Sequence, residues 1–309
     1  MTVTAPAQPC VLVGIDGSDH SLEALDLAAD EALLRDCPLR VLNVIHWPLL
    51  ATPVAADARP EIDGALIRAA RSDVDTAARR AARRHPGLPV RTEVVAGAPA
   101  GLLVEASAAA HLLVVGHRGA GGFAGLVTGS VATQVATRAR CPVLVAHPQG
   151  AGPDAPEDPV VVGVDGSAHA ARAVEFACDE ASRRGVPLVA VRVWSAPVHP
   201  ANGGSGRGDE EAEEARYVAA RSVEEVLRGP RARYPGLPVT TELPESPDVE
   251  DTLVRRSAAA GLIVVGARGR GAATGAVLGS VGQALVHHGE CPVAIVRAPD
   301  ARETTEEES

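Results

Sequence analysis

The chain has 309 residues, 46% of them hydrophobic, enough for one large core or two cores of about 150 residues each, which excludes disorder throughout. A formal charge of -10 opposes a polyanion as partner, and two each of Trp, Tyr and Phe cannot build base-stacking platforms, so no nucleic acid is expected. All 29 basic residues are arginine, which rules out a Walker A lysine and a Schiff-base lysine.

The opening MTVTAPAQPC lacks a basic region followed by an apolar one, and no apolar run reaches the roughly 18 to 20 residues that cross a bilayer. A cytoplasmic protein without membrane attachment is expected. From there, short apolar runs alternate with segments of helical period. VLVGI (Val11 to Ile15), RVLNVI, VRTEVV, LLVVG and PVLVA read as strands. Leu22, Leu25, Ala28, Ala29, Ala32 and Leu33 share one helical face, and Leu66, Ala70, Val74, Ala77, Ala78 and Ala81 share another. Strands of continuous rather than alternating apolarity suit a parallel sheet buried on both faces. A three-layer α/β unit with five strands follows.

The unit is then repeated. VLVGIDGS returns as VVVGVDGS, RHPGLPVRTE as RYPGLPVTTE, and CPVLVA as CPVAIV. Val11 maps to Val160, 149 residues on, and Gly116 to Gly266, 150 residues on. The expected layout is a first domain over 1–148, a Pro, Gly and acid-rich linker over 149–159, a second domain over 160–298 and a disordered acidic tail over 299–309. Five cysteines, an odd number with no CxxC pair, argue against a disulfide framework or zinc site. Cys141 and Cys291, each before Pro-Val at the start of an apolar run, read as small buried hydrophobes.

Ligands of open parallel sheets bind beyond the carboxyl ends of the strands, where strand order reverses. The glycines gather there. The first strand ends in Gly14-Ile15-Asp16-Gly17-Ser18 and the fourth in Gly116-His117-Arg118-Gly119, followed after nine residues by Gly129-Ser130. The second copy has Gly163-Val164-Asp165-Gly166-Ser167, then Gly266-Ala267-Arg268-Gly269, nine residues, and Gly279-Ser280. Glycines that adopt positive φ and let the backbone approach an anion, ahead of a helix N-terminus, make a phosphate cradle without lysine. Asp16 and Asp165 carry acceptors only and suit a base amino group or a ribose hydroxyl. Each element also has a plainer reading: Gly-Ser as an N-cap, Asp-Gly-Ser as a turn and cap, Arg118 and Arg268 as water-facing side chains. His117 has Ala267 as its counterpart, which opposes a required general base there.

Gly-x2-Gly-x9-Gly-Ser after the fourth strand, with Asp after the first, resembles the ATP-binding universal stress proteins, over about residues 9 to 148 and 158 to 298. The resemblance implies two tandem Rossmann-like domains, each a five-stranded parallel sheet with helices on both faces, and ATP, with Mg2+, as ligand. It implies that Asp16 and Asp165 face the adenosine, that the backbone of Val44 and Val193 faces adenine, and that the glycine loops with Ser130, Val131, Ser280 and Val281 hold phosphates. It also implies a stress-response regulator with little or no turnover, an unidentified regulatory protein partner, and an intrachain pseudo-dimer through the last strands, with a homodimer as a further option. A slow ATPase or adenylyl-transferring enzyme, and an interaction module without nucleotide, are the alternatives. One departure stands out: copy one has Gly97-Ala98-Pro99-Ala100 after strand three, whereas copy two has Pro247-Asp248-Val249-Glu250-Asp251, whose carboxylates are expected to weaken phosphate binding.

Overall fold

A computed structural model describes residues 8–46, 59–119, 130–148, 158–196, 207–270 and 277–298. The expected linker core at 149–157, the tail at 299–309 and Gly129 lie outside the described residues. The chain divides into two compact units, Met1–Pro148 and Gln149–Ser309.

In the first unit β1 (Cys10–Ile15) leads to α1 (Asp19–Leu34), then β2 (Leu39–His46), α2 (Arg59–Arg84), β3 (Val90–Gly97), α3 (Pro99–Ala106), β4 (Ala110–Gly116), α4 (Ser130–Arg138) and β5 (Val143–Ala146). The strands lie in the order β3-β2-β1-β4-β5, all parallel, so strand order reverses between β1 and β4. α1 packs with α2, and α3 with α4, which gives the sheet a helical layer on each face. The continuous apolarity of the strands is explained by this enclosure: Val11, Leu12 and Val13 of β1 and Leu112, Leu113 and Val114 of β4 are fully buried.

The second unit repeats the plan with β6 (Val160–Gly163), α5 (Ala168–Arg184), β7 (Leu188–Val191), α6 (Arg207–Arg233), β8 (Val239–Glu242), α7 (Val249–Ser257), β9 (Leu262–Gly266), α8 (Ser280–His288) and β10 (Val293–Val296). Its order is β8-β7-β6-β9-β10, parallel throughout, with the reversal between β6 and β9.

The helical face expected for α1 is shifted. Leu33 is 55% exposed and Glu31 is buried instead, because the stripe in contact with the sheet runs through Ser21, Ala24, Leu25, Ala28, Ala29 and Ala32. Glu31 pairs with Arg35 one turn on, and Glu180 pairs with Arg184 in the same place of the second unit. A second polar tie also recurs. The buried hydroxyl of Ser107 donates to Val104 O (2.6 Å) and accepts from Arg140 N (2.9 Å), while that of Ser257 donates to Val254 O (2.5 Å) and accepts from Glu290 N (3.0 Å). Each serine fastens the end of a helix to the loop entering the last strand, satisfying backbone groups that burial would otherwise leave unpaired. Burial pushes the Cys141 and Cys291 thiols up to about 12, in keeping with their reading as small hydrophobes.

Candidate functional site

The Asp-Gly-Ser turns build the floor of each site. Gly17 and Gly166 take φ of +82° and +79°, the left-handed conformation that turns the chain from strand into helix. Ser18 then caps α1 by accepting from Ser21 N (3.2 Å), and Ser167 caps α5 by accepting from Ala170 N (3.1 Å). The acids preceding them brace the turn. Asp16 Oδ1 accepts from Ser18 N (3.1 Å) and from Ser18 Oγ (2.6 Å). Asp165 accepts from Ser167 N at Oδ1 (2.8 Å) and from Arg270 N at Oδ2 (2.9 Å), so it ties the loop after β6 to the loop after β9.

This arrangement reassigns the loop glycines. Positive φ was expected in the cradle, yet Gly116, Gly119, Gly266, Gly269 and Gly279 all lack it. Most are small because the protein itself crowds them. A Cβ at Gly116 would stand 2.8 Å from His20 O, and one at Gly266 would stand 2.8 Å from His169 Cβ, where the first turn of α1 or α5 crosses the strand end. At Gly119 a Cβ would strike the Asp16 carboxylate, and at Gly269 it would lie 2.7 Å from Asp165 Oδ2. At Gly14 and Gly163 the space is taken by Leu103 (3.0 Å) and Val265 (3.1 Å). Gly279 differs. Its φ is -62°, and among the described residues the nearest atom to an added Cβ is 3.6 Å away, so their packing does not require a glycine there.

Gly279 lines a cleft of about 310 Å³ at the strand-order reversal of the second unit. The cleft brings together Gly163 and Asp165 from the first turn, Arg192 and Val193 beyond β7, Arg268 and Gly269 from the loop, and Ser280 and Val281 at the start of α8. The expected residues of copy two therefore converge, with Val193 two residues past the strand rather than at its end. The first amides of α8 have no partner inside the helix and point toward this end, where the helix dipole favours an anion. In the first unit Gly14, Asp16, Gly116, Arg118 and Gly119 occupy the corresponding strand ends, Val44 lies within β2, and Ser130 and Val131 open α4. Arg118 there is exposed, whereas Arg268 is half-buried.

Of the three carboxylates that distinguish copy two, Asp248 N-caps α7 by accepting from Asp251 N (2.9 Å), and Asp251 pairs with Arg255 at 2.5 Å. Glu250 lines the cleft. His117 is buried against His20 and His147, with ring centroids 4.3 and 4.9 Å away, and burial followed by the charge of His20 lowers its pKa. That makes it a packed neutral ring, consistent with the alanine that replaces it in copy two.

Three side chains escaped the motif reading. Arg192 interrupts the apolar run LVAVRVW directly after β7, Arg270 follows the loop glycine, and Asp73 on α2 reaches the turn at Gly17. The signal available for Arg192 was its pairing with Asn43 of copy one, a charge set against an amide at one repeat position.

Comparison with known proteins places this geometry. The model of the universal stress protein family matches residues 10–147 and 157–297. A universal stress protein of Mycobacterium tuberculosis is 37% identical over 301 residues, covering 93% of this chain and 96% of that protein. One of Mycolicibacterium smegmatis is 34% identical over 297 residues, with the same coverage of 93% and 96%. Among solved structures, a universal stress protein from Archaeoglobus fulgidus superposes with a TM-score of 0.67 at 22% identity, covering 94% of this chain and 99% of that one.

Proposed function

The chain belongs to the universal stress protein family as a tandem member, and from that premise we propose that it is a nucleotide-dependent regulator which binds ATP in its clefts and turns it over little or not at all. The observation that carries this reading is Gly279: a glycine without positive φ and, among the described residues, without a crowding neighbour, set at a helix N-terminus in a cleft of about 310 Å³. Its smallness serves something that enters the cleft. Phosphates fit that role, since the amides of Ser280 and Val281 would donate to them and the α8 dipole would stabilise their charge, while the Gly279 amide is held by Ala267 O (2.9 Å). Asp165 holds the glycine loop in place through Arg270 N and keeps lone pairs for a donor on the nucleoside.

Mg2+ in this reading arrives with the phosphates, the usual way in which a nucleotide carries it. No described helix is long and apolar enough to cross a membrane. A cytoplasmic location is part of the proposal and accords with five cysteines in the free thiol state. So is a regulatory protein partner, together with pairing of β5 and β10, each the last strand of its own sheet, within one chain or between two. Engineered cysteines on these strands that link in neither way would remove the pairing from the reading.

The test of nucleotide binding uses Gly279→Ala in the full chain. Mass spectrometry of ligand released from freshly purified protein is expected to find ATP or a product of it. In isothermal titration the variant is expected to lose one of two binding events, by roughly tenfold or more in affinity, with its melting temperature nearly unchanged. Unaltered binding of both equivalents would overturn the assignment. Steady phosphate release faster than about one per minute, abolished by the same change, would move the reading to an ATPase.

A further inference from the structure

The equivalent turns of the two units carry opposite charge. A Cβ at Gly17 would lie 2.9 Å from the carboxylate of Asp73, whereas a Cβ at Gly166 would meet the guanidinium of Arg270. The neighbouring strand differs in the same sense at one repeat position, within β2 in the first unit and just past β7 in the second. Asn43 of β2, the register partner of Ile15, is replaced in the second unit by Arg192, which follows Val191, the partner of Gly163.

Arg192 lines the cleft and is half-buried. Its Nη1 donates to Val164 O at 3.1 Å, but its Nε is buried without a hydrogen-bond partner. Leaving a cationic donor in that state is costly unless a ligand supplies the acceptor. Burial, and then the charge of Arg270, push the Arg192 pKa down, while Asp165 pulls it up. Asp165 already accepts from two backbone amides, and Glu250 lines the cleft from α7.

Position gives the chemical class. β7 and β9 flank β6, so the Arg192 end of the cleft and the Gly266–Gly269 loop are separated by two strand spacings, about 10 Å. A nucleotide whose 5'-phosphates sit on α8 must run its nucleoside across β6 toward β7. An arginine beyond the second strand of a parallel α/β sheet is suited to a phosphate carried on the ribose.

We propose that the second cleft selects nucleotides bearing a phosphate on the ribose as well as at the 5' position, held by Arg192 and Arg270, whereas the first, with Asn43 and Asp73 there, takes a free ribose. This rests on the nucleotide-binding reading above.

The probes are 5'-ADP, adenosine 3',5'-bisphosphate and adenosine 2',5'-bisphosphate, which carry two phosphates each and differ in where the second sits. In titrations of the full chain, one site is expected to prefer a bisphosphate over 5'-ADP by roughly tenfold. Arg192→Asn, which installs the copy-one residue, and Arg192→Gln are expected to reduce that preference to about twofold while 5'-ADP binding stays within about twofold. Arg270→Ala, at an exposed position, keeps the test decisive should the Arg192 variants not fold. Equal binding of the three probes, or a preference that survives in every folded variant, overturns the proposal and leaves the ATP reading intact. Binding of none of them, nor of ATP, overturns both.

Discussion

In the first unit an acid overhangs the turn into α1 and an amide stands within the second strand; in the second unit an arginine stands at each equivalent place. Elsewhere the two copies keep the same internal ties: Glu31 with Arg35 and Glu180 with Arg184, Ser107 and Ser257 on the loops before the last strands, Ser18 and Ser167 as helix caps. These internal ties are kept, as are the glycines, the aspartate and the Gly-Ser of the strand-end motifs, while the charge beside the turn and at the second strand has changed. That change bears on what each cleft is proposed to meet, since the fold tolerates either choice.

The most forceful way to probe the shared part is to cut a buried ion pair. Glu31→Ala leaves Arg35, only 8% exposed, without its carboxylate and is expected to cost the first unit about 3–5 kcal/mol in urea denaturation. Glu180→Ala should cost the second unit visibly less, because the Arg184 side chain is 21% exposed and can turn to water. Equal losses would show that exposure does not set the penalty.

Next in size, Gly266→Ala and Gly279→Ala separate fold from ligand. The first places a Cβ 2.8 Å from His169 Cβ and is expected to cost about 1–3 kcal/mol. The second has 3.6 Å of clearance and is expected to stay within about 0.5 kcal/mol of wild type while losing nucleotide. A stability loss as large as that of Gly266→Ala would remove the distinction.

A smaller effect lies at the end of the first helix of each unit. Gly185 closes α5 at φ +69°, but Asp36 takes the matching place after α1 at φ +48°. Asp36→Gly is expected to stabilise the first unit by about 0.5–1 kcal/mol, measured as a rise in melting temperature. No rise would mean that the aspartate gains locally what its backbone loses.

The smallest effect is the pH dependence at the acidic turn. Burial and the charge of Asp16 raise the Asp73 pKa above its ordinary value, so the folded state holds this proton more tightly than the unfolded chain. Stability from this group is therefore present below the ordinary carboxylate range and is lost as pH rises through the folded pKa. Asp73→Asn should slightly raise the melting temperature at pH 7 and leave it unchanged near pH 3. An equal gain at both would assign the effect to packing.

The sheet and its parallel order were legible because burial on both faces writes itself as unbroken Val, Leu and Ile runs, and the repeat doubled every signal. The strand-end motifs were legible as a group for the same reason. Which glycine the fold leaves uncrowded was not, since Gly116, Gly119 and Gly279 look alike until their neighbours in space are known. The buried serines were equally silent: Ser107 stands in an alanine-rich stretch whose pattern says nothing of the Arg140 amide 33 residues away. Leu33 misled because a leucine next to a helical stripe counts toward it in a periodicity argument, although the contact with the sheet is narrower.

All five strands of the first unit lie in one uninterrupted stretch of chain, ending with β5 at Ala146. During synthesis this sheet can close before Val160, the first residue of the second sheet, has left the ribosome. That order matters in a chain that spells its last strand twice, as CPVLVA and CPVAIV. Parallel sheets form slowly, through contacts distant in sequence, and two half-formed copies present together would compete for each other's strands. Vectorial emergence eases the competition: when β10 appears, β5 already holds the place beside β4 that β10 could otherwise take.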